Sequence, residues 1–108
     1  MTINEYQKLA MVTANKNLSD KEMLTNGVMG LCGEAGESID IVKKHLFHGH
    51  ELSREKLIEE LGDVAWYLAE TCSALNIDLE SVLSQNIDKL KKRYPEGFDS
   101  DRSIHREK

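Results

Sequence analysis

The sequence holds a single proline, Pro95, so nothing before it forces a helix to break. No run of β-branched residues alternates with polar ones over the length of a strand, which excludes a sheet as the organising layer. There are two cysteines, Cys32 and Cys72; they form no C-x-x-C and fall in or near helical apolar patterns, so they read as reduced, buried thiols. Basic residues are in the minority, with 14 Lys and Arg against 19 Asp and Glu and a formal net charge of -5, which argues against a partner gripped by its nucleic-acid backbone. A phosphorylated small molecule stays open, because bound divalent ions invert the local sign. No apolar stretch approaches a membrane span, and the first residues show neither a charged n-region nor an apolar h-region; the expected location is the cytoplasm. Phosphate-loop spacing after a strand is also missing, which sets aside a Walker or dinucleotide loop.

What is present is helical. Thr2 followed by Glu5 is a capping-box pattern that opens a short helix expected to end near Asn15 to Asn17. Ser19 or Asp20 can cap a second helix over about residues 21–46, with Gly49 suited to its stop. Ser53 can cap a third that runs to about Leu75 with Asn76 as terminator. Asp78 can cap a fourth, carrying Leu79, Val82, Leu83, Ile87 and Leu90 and ended by Pro95. The expected fold is all-α, one domain built as an antiparallel bundle of about four helices. Residues 95–108 form a polar tail, either a flexible end or an arm that orders over a site or a neighbour.

Helix two repeats apolar or small residues at Leu24, Val28, Leu31, Ala35, Ile39, Val42 and Leu46, and helix three at Leu57, Leu61, Val64, Leu68, Cys72 and Leu75. These stripes are expected to meet along one seam. Ile58, Ala65, Trp66 and Ala69 extend beyond it, which predicts a homo-oligomer, a dimer or tetramer, that buries a second stripe between subunits.

Two acidic pairs interrupt these patterns: Glu34 and Glu37 in Gly-Glu-Ala-Gly-Glu, and Glu60 and Asp63 in Glu-Glu-Leu-Gly-Asp. Residues three apart project from nearly the same side of a helix. Counted from the turn, the first pair lies about 14 to 18 Å away and the second about 10 to 15 Å, so the two can stand level. A single Glu-x-x-Glu is ordinary helix surface. Two such pairs among small and apolar residues, without basic partners four positions on, would repel one another unless cations neutralise them. The cation that suits oxygen ligands is Mg²⁺, with Mn²⁺ as a substitute.

Gly27, Gly30, Gly33 and Gly36 recur every three residues in the same helix, each at a cost of up to about 1 kcal/mol relative to Ala. Either close helix packing or room for a metal or ligand beside Glu34 and Glu37 would offset it. His45, His48 and His50 cluster at the turn, either as solvated residues or as a transition-metal site. The Glu-x-x-His partners of di-iron bundles are missing. Trp66 suits the core or a subunit interface. Tyr67, one turn past Asp63, can bring its hydroxyl to the site or stack on a base. Asn86, Lys89 and Arg93 share a face and can hold phosphate oxygens, while Lys89, Lys91, Lys92 and Arg93 also complement the helix dipole. Arg102, His105 and Arg106 repeat that possibility in the tail.

Gly-Glu-Ala-Gly-Glu, then Glu-Glu-Leu-Gly-Asp-Val-Ala-Trp-Tyr-Leu, then Asn-Ile-Asp-Lys-Leu-Lys-Lys-Arg-Tyr-Pro-Glu-Gly-Phe together resemble the MazG-like nucleotide pyrophosphohydrolases. The resemblance covers roughly Met1 to Arg106. It implies an all-α enzyme that hydrolyses nucleoside triphosphates to monophosphate and pyrophosphate in nucleotide-pool housekeeping. It also implies Mg²⁺ held by Glu34, Glu37, Glu60 and Asp63, with phosphates contacted by Lys44, Asn86, Lys89 and Arg93 and the nucleotide by Tyr67. Gly33 stands where the family's first motif begins with Glu, which removes one auxiliary acid and leaves four. Two other readings stay beside it. Phosphoribosyl-ATP pyrophosphohydrolase has similar acids but usually a Tyr-His after the Asp, where this chain has Trp66-Tyr67-Leu68. The other is a non-catalytic helical oligomerisation module that binds metal structurally.

Overall fold

The computed structural model describes residues 1–106; the polar tail's last two residues, 107 and 108, lie outside them. Five helices follow in order: α1 (Ile3–Met11), α2 (Asp20–Phe47), α3 (Arg54–Ala74), α4 (Leu79–Arg93) and α5 (Ser100–Ile104). There is no strand among the described residues, and no helix among them is long and apolar enough to cross a membrane.

Local chemistry sets most of the boundaries. Thr2 and Glu5 form the expected capping box, with the Glu5 amide donating to Thr2 Oγ1 at 3.1 Å. Ser19 and Glu22 form a second one at the start of α2. Gly49 (φ 72°) and Asn76 (φ 58°) take left-handed conformations just past α2 and α3, where a chain leaving a helix needs them. Two expectations are corrected. The first helix stops at Met11, short of Asn15, because the Ala10 carbonyl accepts from Trp66 Nε1 at 2.9 Å and the next amides turn back to carbonyls three residues earlier. Asp78 occupies the N-cap position of α4 but makes no side-chain cap bond; Gln7 Oε1 accepts from the Leu79 amide at 2.8 Å in its place.

Helices α2 and α3 pair as a long antiparallel hairpin, α1 lies on α3, and α4 starts against α1. Gln7 is the tie between the last three elements. Buried itself, it also donates through Nε2 to Ser73 Oγ at 3.1 Å and to the Ile77 carbonyl at 3.0 Å.

The hairpin seam differs from the expected one. Val28, Ile39 and Leu46 are exposed, the last two at 63%, while Leu24, Leu31 and Val42 are half-buried, so the long apolar stripe of α2 is covered only in part. The contact runs through the adjoining face, where Gly27 lies on Thr71 and Gly30 on Tyr67. Small residues let the helix axes approach closely, and closeness on that side leaves the bulkier stripe uncovered. Of its two expected places Trp66 takes the one within the chain, packing on α1 and donating to the Ala10 carbonyl and to Thr13 Oγ1 at 3.0 Å, while Ala69, expected beyond the seam, is fully buried within the chain. Cys72 is buried as expected, and burial raises its thiol pKa; Cys32 is exposed, contrary to the sequence reading.

Candidate metal and phosphate site

The site is built from the middle of the hairpin. Because α2 and α3 run antiparallel with the Gly30 and Tyr67 level in register, Glu34, one turn beyond Gly30, arrives opposite Glu60 and Asp63. One carboxylate oxygen from each of Glu34, Glu60 and Asp63 lies within 4.8 Å of the others. Glu34 and Glu60 are half-buried and Asp63 is exposed, so the group is open on one side. Glu60 Oε2 is buried with no hydrogen-bond partner.

The Glu60 pKa is raised, first by a proton shared with Glu34, then by burial, then by the charges of Glu34 and Asp63. Asp63 also acts on α1: Tyr6 has a raised pKa, from burial first and from the Asp63 charge second. An orphaned carboxylate oxygen beside two more acids is a donor set that fits a hard divalent cation, which would satisfy the lone pairs and relieve the repulsion together.

Glu37 is exposed and lies outside this group of three. Its charge raises the pKa of Lys44, although the main cause there is the hydrogen bond and ion pair with Asp40 at 2.9 Å. Lys44 therefore has a carboxylate partner already, which Asp40 divides with Lys43 at 3.2 Å. Tyr67 sits one turn from Asp63 with its ring filling the space that Gly30 leaves, edge-on to Trp66 at 5.1 Å between centroids. It thus forms the wall of the hairpin beside the acids. The histidines of the turn do not converge: His45 Nδ1 contacts the His50 carbonyl at 2.9 Å, and no histidine joins a metal-binding group among the described residues.

Asn86, Lys89 and Arg93 lie elsewhere. Helix α4 begins at the Gln7 end of α1 and runs toward the start of α1, away from the acids; Asn4 Nδ2 donates to Glu80 Oε2 at 3.0 Å, and Ile3 shares a hollow with Leu83, Ser84 and Ile87. Within one chain the basic end of α4 and the carboxylate group are at opposite ends. Arg93 stands 6.0 Å from the ring centre of its neighbour Tyr94. The tail contributes a short helix, α5, capped by Asp99, in which His105 pairs with Asp101 at 3.1 Å.

Two features escaped the sequence reading. Tyr6 looks like an ordinary apolar-face residue, and only the crossing of α1 over α3 brings it under the influence of Asp63. Glu70 is 1% exposed and accepts from Asn26 Nδ2 at 2.7 Å, a part-buried polar bond between α2 and α3. Its spacing of seven from Asp63 was the available signal.

The sequence profile of the MazG nucleotide pyrophosphohydrolase domain matches residues 24–98. The chain belongs to the MazG nucleotide pyrophosphohydrolase family. The MazG match takes in most of α2 and all of α3 and α4, hence all four motif acids and the basic end of α4, and leaves α1 outside. Among curated proteins, the chain is similar to the gene 37 protein of Mycobacterium phage L5, with 40% identity over 80 residues, 70% of each chain. No solved structure matches the chain.

Proposed function

We propose that this MazG-family chain is a Mg²⁺-dependent nucleoside triphosphate pyrophosphohydrolase, converting (d)NTP and water to (d)NMP and pyrophosphate. The observation that carries the reading is the convergence of Glu34, Glu60 and Asp63 within 4.8 Å, with a buried, unpartnered oxygen on Glu60. These three residues would hold the cation, joined by Glu37 from the next turn of α2; Mn²⁺ would serve in its place. Bound there, the ion would neutralise phosphate charge and lower the pKa of a water molecule.

The chain's own residues do the rest. In-line attack of water on the α-phosphorus releases pyrophosphate, and a carboxylate at the site accepts the water's proton. Glu34 or Glu37 would take that proton, since Glu60 is the acid with the raised pKa. Tyr67 presents an aromatic wall one turn from Asp63, fitted to the sugar or base.

The working unit is a homo-oligomer. Val28, Ile39, Leu46, Ile58 and Leu61 are all 46% exposed or more, on two helices of one hairpin, and the radius of gyration is 17.0 Å. A compact chain of this length would have about 13 Å. A second copy covering the hairpin would account for both.

The test is a panel of canonical and modified (d)NTPs, with phosphoribosyl-ATP alongside, incubated with Mg²⁺ and with Glu60→Ala as control. Monophosphate plus pyrophosphate from the wild type, lost in the variant, is the expected result. Diphosphate plus phosphate, or no turnover at any Mg²⁺ or Mn²⁺ concentration, would overturn the reading.

A further inference from the structure

We propose that Asn26 and Glu70 are positioning residues: their hydrogen bond fixes the axial register of α2 on α3 and so sets the spacing at which Glu34 meets Glu60 and Asp63 around a divalent cation. The cation in that statement rests on the pyrophosphohydrolase reading.

The hairpin has little else to set that register. Gly27 is the one buried residue of α2, and it has no side chain to lock between those of α3. Leu24, Leu31 and Val42 are half-buried, and apolar contact is non-directional. Thr71, which faces Gly27, donates its hydroxyl to the Tyr67 carbonyl of its own helix at 2.7 Å. Apart from the proton that Glu34 and Glu60 share, a single side-chain hydrogen bond joins α2 to α3 among the described residues, and no salt bridge does. That bond runs 2.7 Å from Asn26 Nδ2 to Glu70 Oε1.

Glu70 is costly to bury. At 1% exposed it is the largest fully buried side chain among the described residues, and its partner is a neutral amide on an exposed residue. A buried carboxyl group with no cation beside it is less favourable than an apolar side chain of similar size in the same place. Stability alone would favour leucine there. The best-attested use of a polar group kept against that gradient is to fix the register of packed helices.

Position connects the bond to the acids. Asn26 precedes Glu34 by eight residues, about 12 Å of helix, and Glu70 follows Asp63 by seven, about 10 Å, so bond and acids stand two turns apart on both helices. A register held at Glu70 is carried to the acids by two rigid elements. The acids need it, because like charges gathered within 4.8 Å oppose the approach of α2 to α3 until a cation is bound. Mg²⁺ demands oxygen ligands at about 2.0–2.1 Å in near-ideal octahedral geometry. A slide of one residue, about 1.5 Å along the axis, would take a ligand out of reach.

The test titrates the full-length wild type, Glu70→Leu and Glu70→Gln with Mg²⁺ and with Ca²⁺ in a calorimeter, beside thermal unfolding in EDTA. Glu70→Leu removes the bond, leaves Asn26 to water, and should keep or raise the Tm in EDTA. It should nevertheless bind Mg²⁺ at least about tenfold more weakly, the scale on which groups beyond the ligands tune a metal site. Ca²⁺, which takes longer bonds in a flexible geometry, should lose less. Glu70→Gln keeps an oxygen for Asn26 and should bind both ions as the wild type does. Asn26→Ala breaks the same bond from the exposed side and should repeat the Mg²⁺ loss at a lower Tm, so the test stays decisive if the leucine variant does not fold. Wild-type Mg²⁺ affinity in both bond-breaking variants would overturn the positioning role and leave the metal reading intact. An equal loss in Glu70→Gln would also overturn it, since the charge and not the bond would then matter. No binding of either ion by the wild type would remove the metal reading and the positioning role with it.

Discussion

The four glycines of α2 fall into two pairs that share a helix and a spacing but not a surrounding. A methyl group on Gly27 or Gly30 would run into Thr71 or Tyr67 of α3, whereas one on Gly33 or Gly36 would meet nothing within 4 Å. The first pair belongs to a closed stretch of seam, where the helices touch through backbone and ring. The second flanks Glu34, on the stretch where three carboxylates sit half-exposed. The lesson is that one spacing has two consequences: at the closed stretch removing Cβ sets the interhelical distance, and at the open stretch a Cβ would touch nothing in the single chain, so the glycines there do not hold the acids in place. The first holds the second in register, since one turn of helix separates Gly30 from Glu34.

The sharpest way to break this comparison is at the open stretch. Glu60→Ala should lower turnover of the preferred nucleotide at least about 100-fold, on the scale of losing a group that stabilises transition-state charge. In the same variant the Tm without divalent ions should rise or hold, because a repelled carboxylate has gone. A calorimetric scan in EDTA and one in Mg²⁺ would check both halves: wild type should gain Tm from Mg²⁺ and the variant should not. A variant that loses Tm in EDTA would mean that Glu60 holds the seam together and belongs with the closed stretch.

At the closed stretch, Gly27→Ala should destabilise by about 1–3 kcal/mol, the usual range for overpacking. The new methyl would stand 3.2 Å from both the Cα and the amide nitrogen of Thr71, and also meet the Thr71 hydroxyl, so backbone must move. Urea unfolding would measure it. Gly30→Ala meets the Tyr67 ring first rather than α3 backbone, so the loss should be smaller there and accompanied by a higher KM as the aromatic wall shifts. Equal stability losses with unchanged KM would show that Tyr67 has no part in the site.

The same contrast separates what could be read in advance from what could not. The helix starts at Thr2, Ser19 and Ser53 and the stops at Gly49 and Asn76 were legible, because each depends on a side chain or dihedral local to the boundary. So was the meeting of Glu34 with Glu60 and Asp63, since helical rise and a short turn fix the heights of residues on a hairpin. Which face of α2 forms the seam was not legible. Hydropathy favours the whole stripe from Leu24 to Leu46, yet close approach at Gly27 and Gly30 left Val28, Ile39 and Leu46 exposed while Leu24, Leu31 and Val42 stay half-buried. The course of α4 was equally hidden, for it depends on Gln7, a polar residue whose three bonds to distant segments leave no periodic trace.

Titration offers a finer probe of the open stretch. Glu60 has a pKa above the ordinary glutamate value, with the proton shared with Glu34 as the main cause. A carboxylate shifted upward in the folded state stabilises the fold below its unfolded pKa, and that contribution is lost as pH rises through the folded value. In EDTA, wild type should therefore lose stability relative to Glu60→Gln as pH rises through the acidic range, and the gap should level off near neutrality. Chemical denaturation of the two proteins side by side at several pH values gives the difference directly. A gap that shrinks with rising pH would mean that Glu60 is held charged by something other than the neighbours seen here.

The smallest effect sharpens the contrast most. Gly33→Ala removes a helix-interior glycine at a place where the methyl meets nothing, so it should stabilise by about 0.5–1 kcal/mol through helix propensity alone. Turnover should survive, since the acids on either side keep their positions. If stability falls instead, the space at Gly33 is filled in solution by another chain, and the open stretch of the seam is open only in the single copy. Repeating the measurement across a hundredfold range of protein concentration distinguishes the two cases: a loss caused by an occluded interface grows as the oligomer forms, while a propensity gain is the same at every concentration.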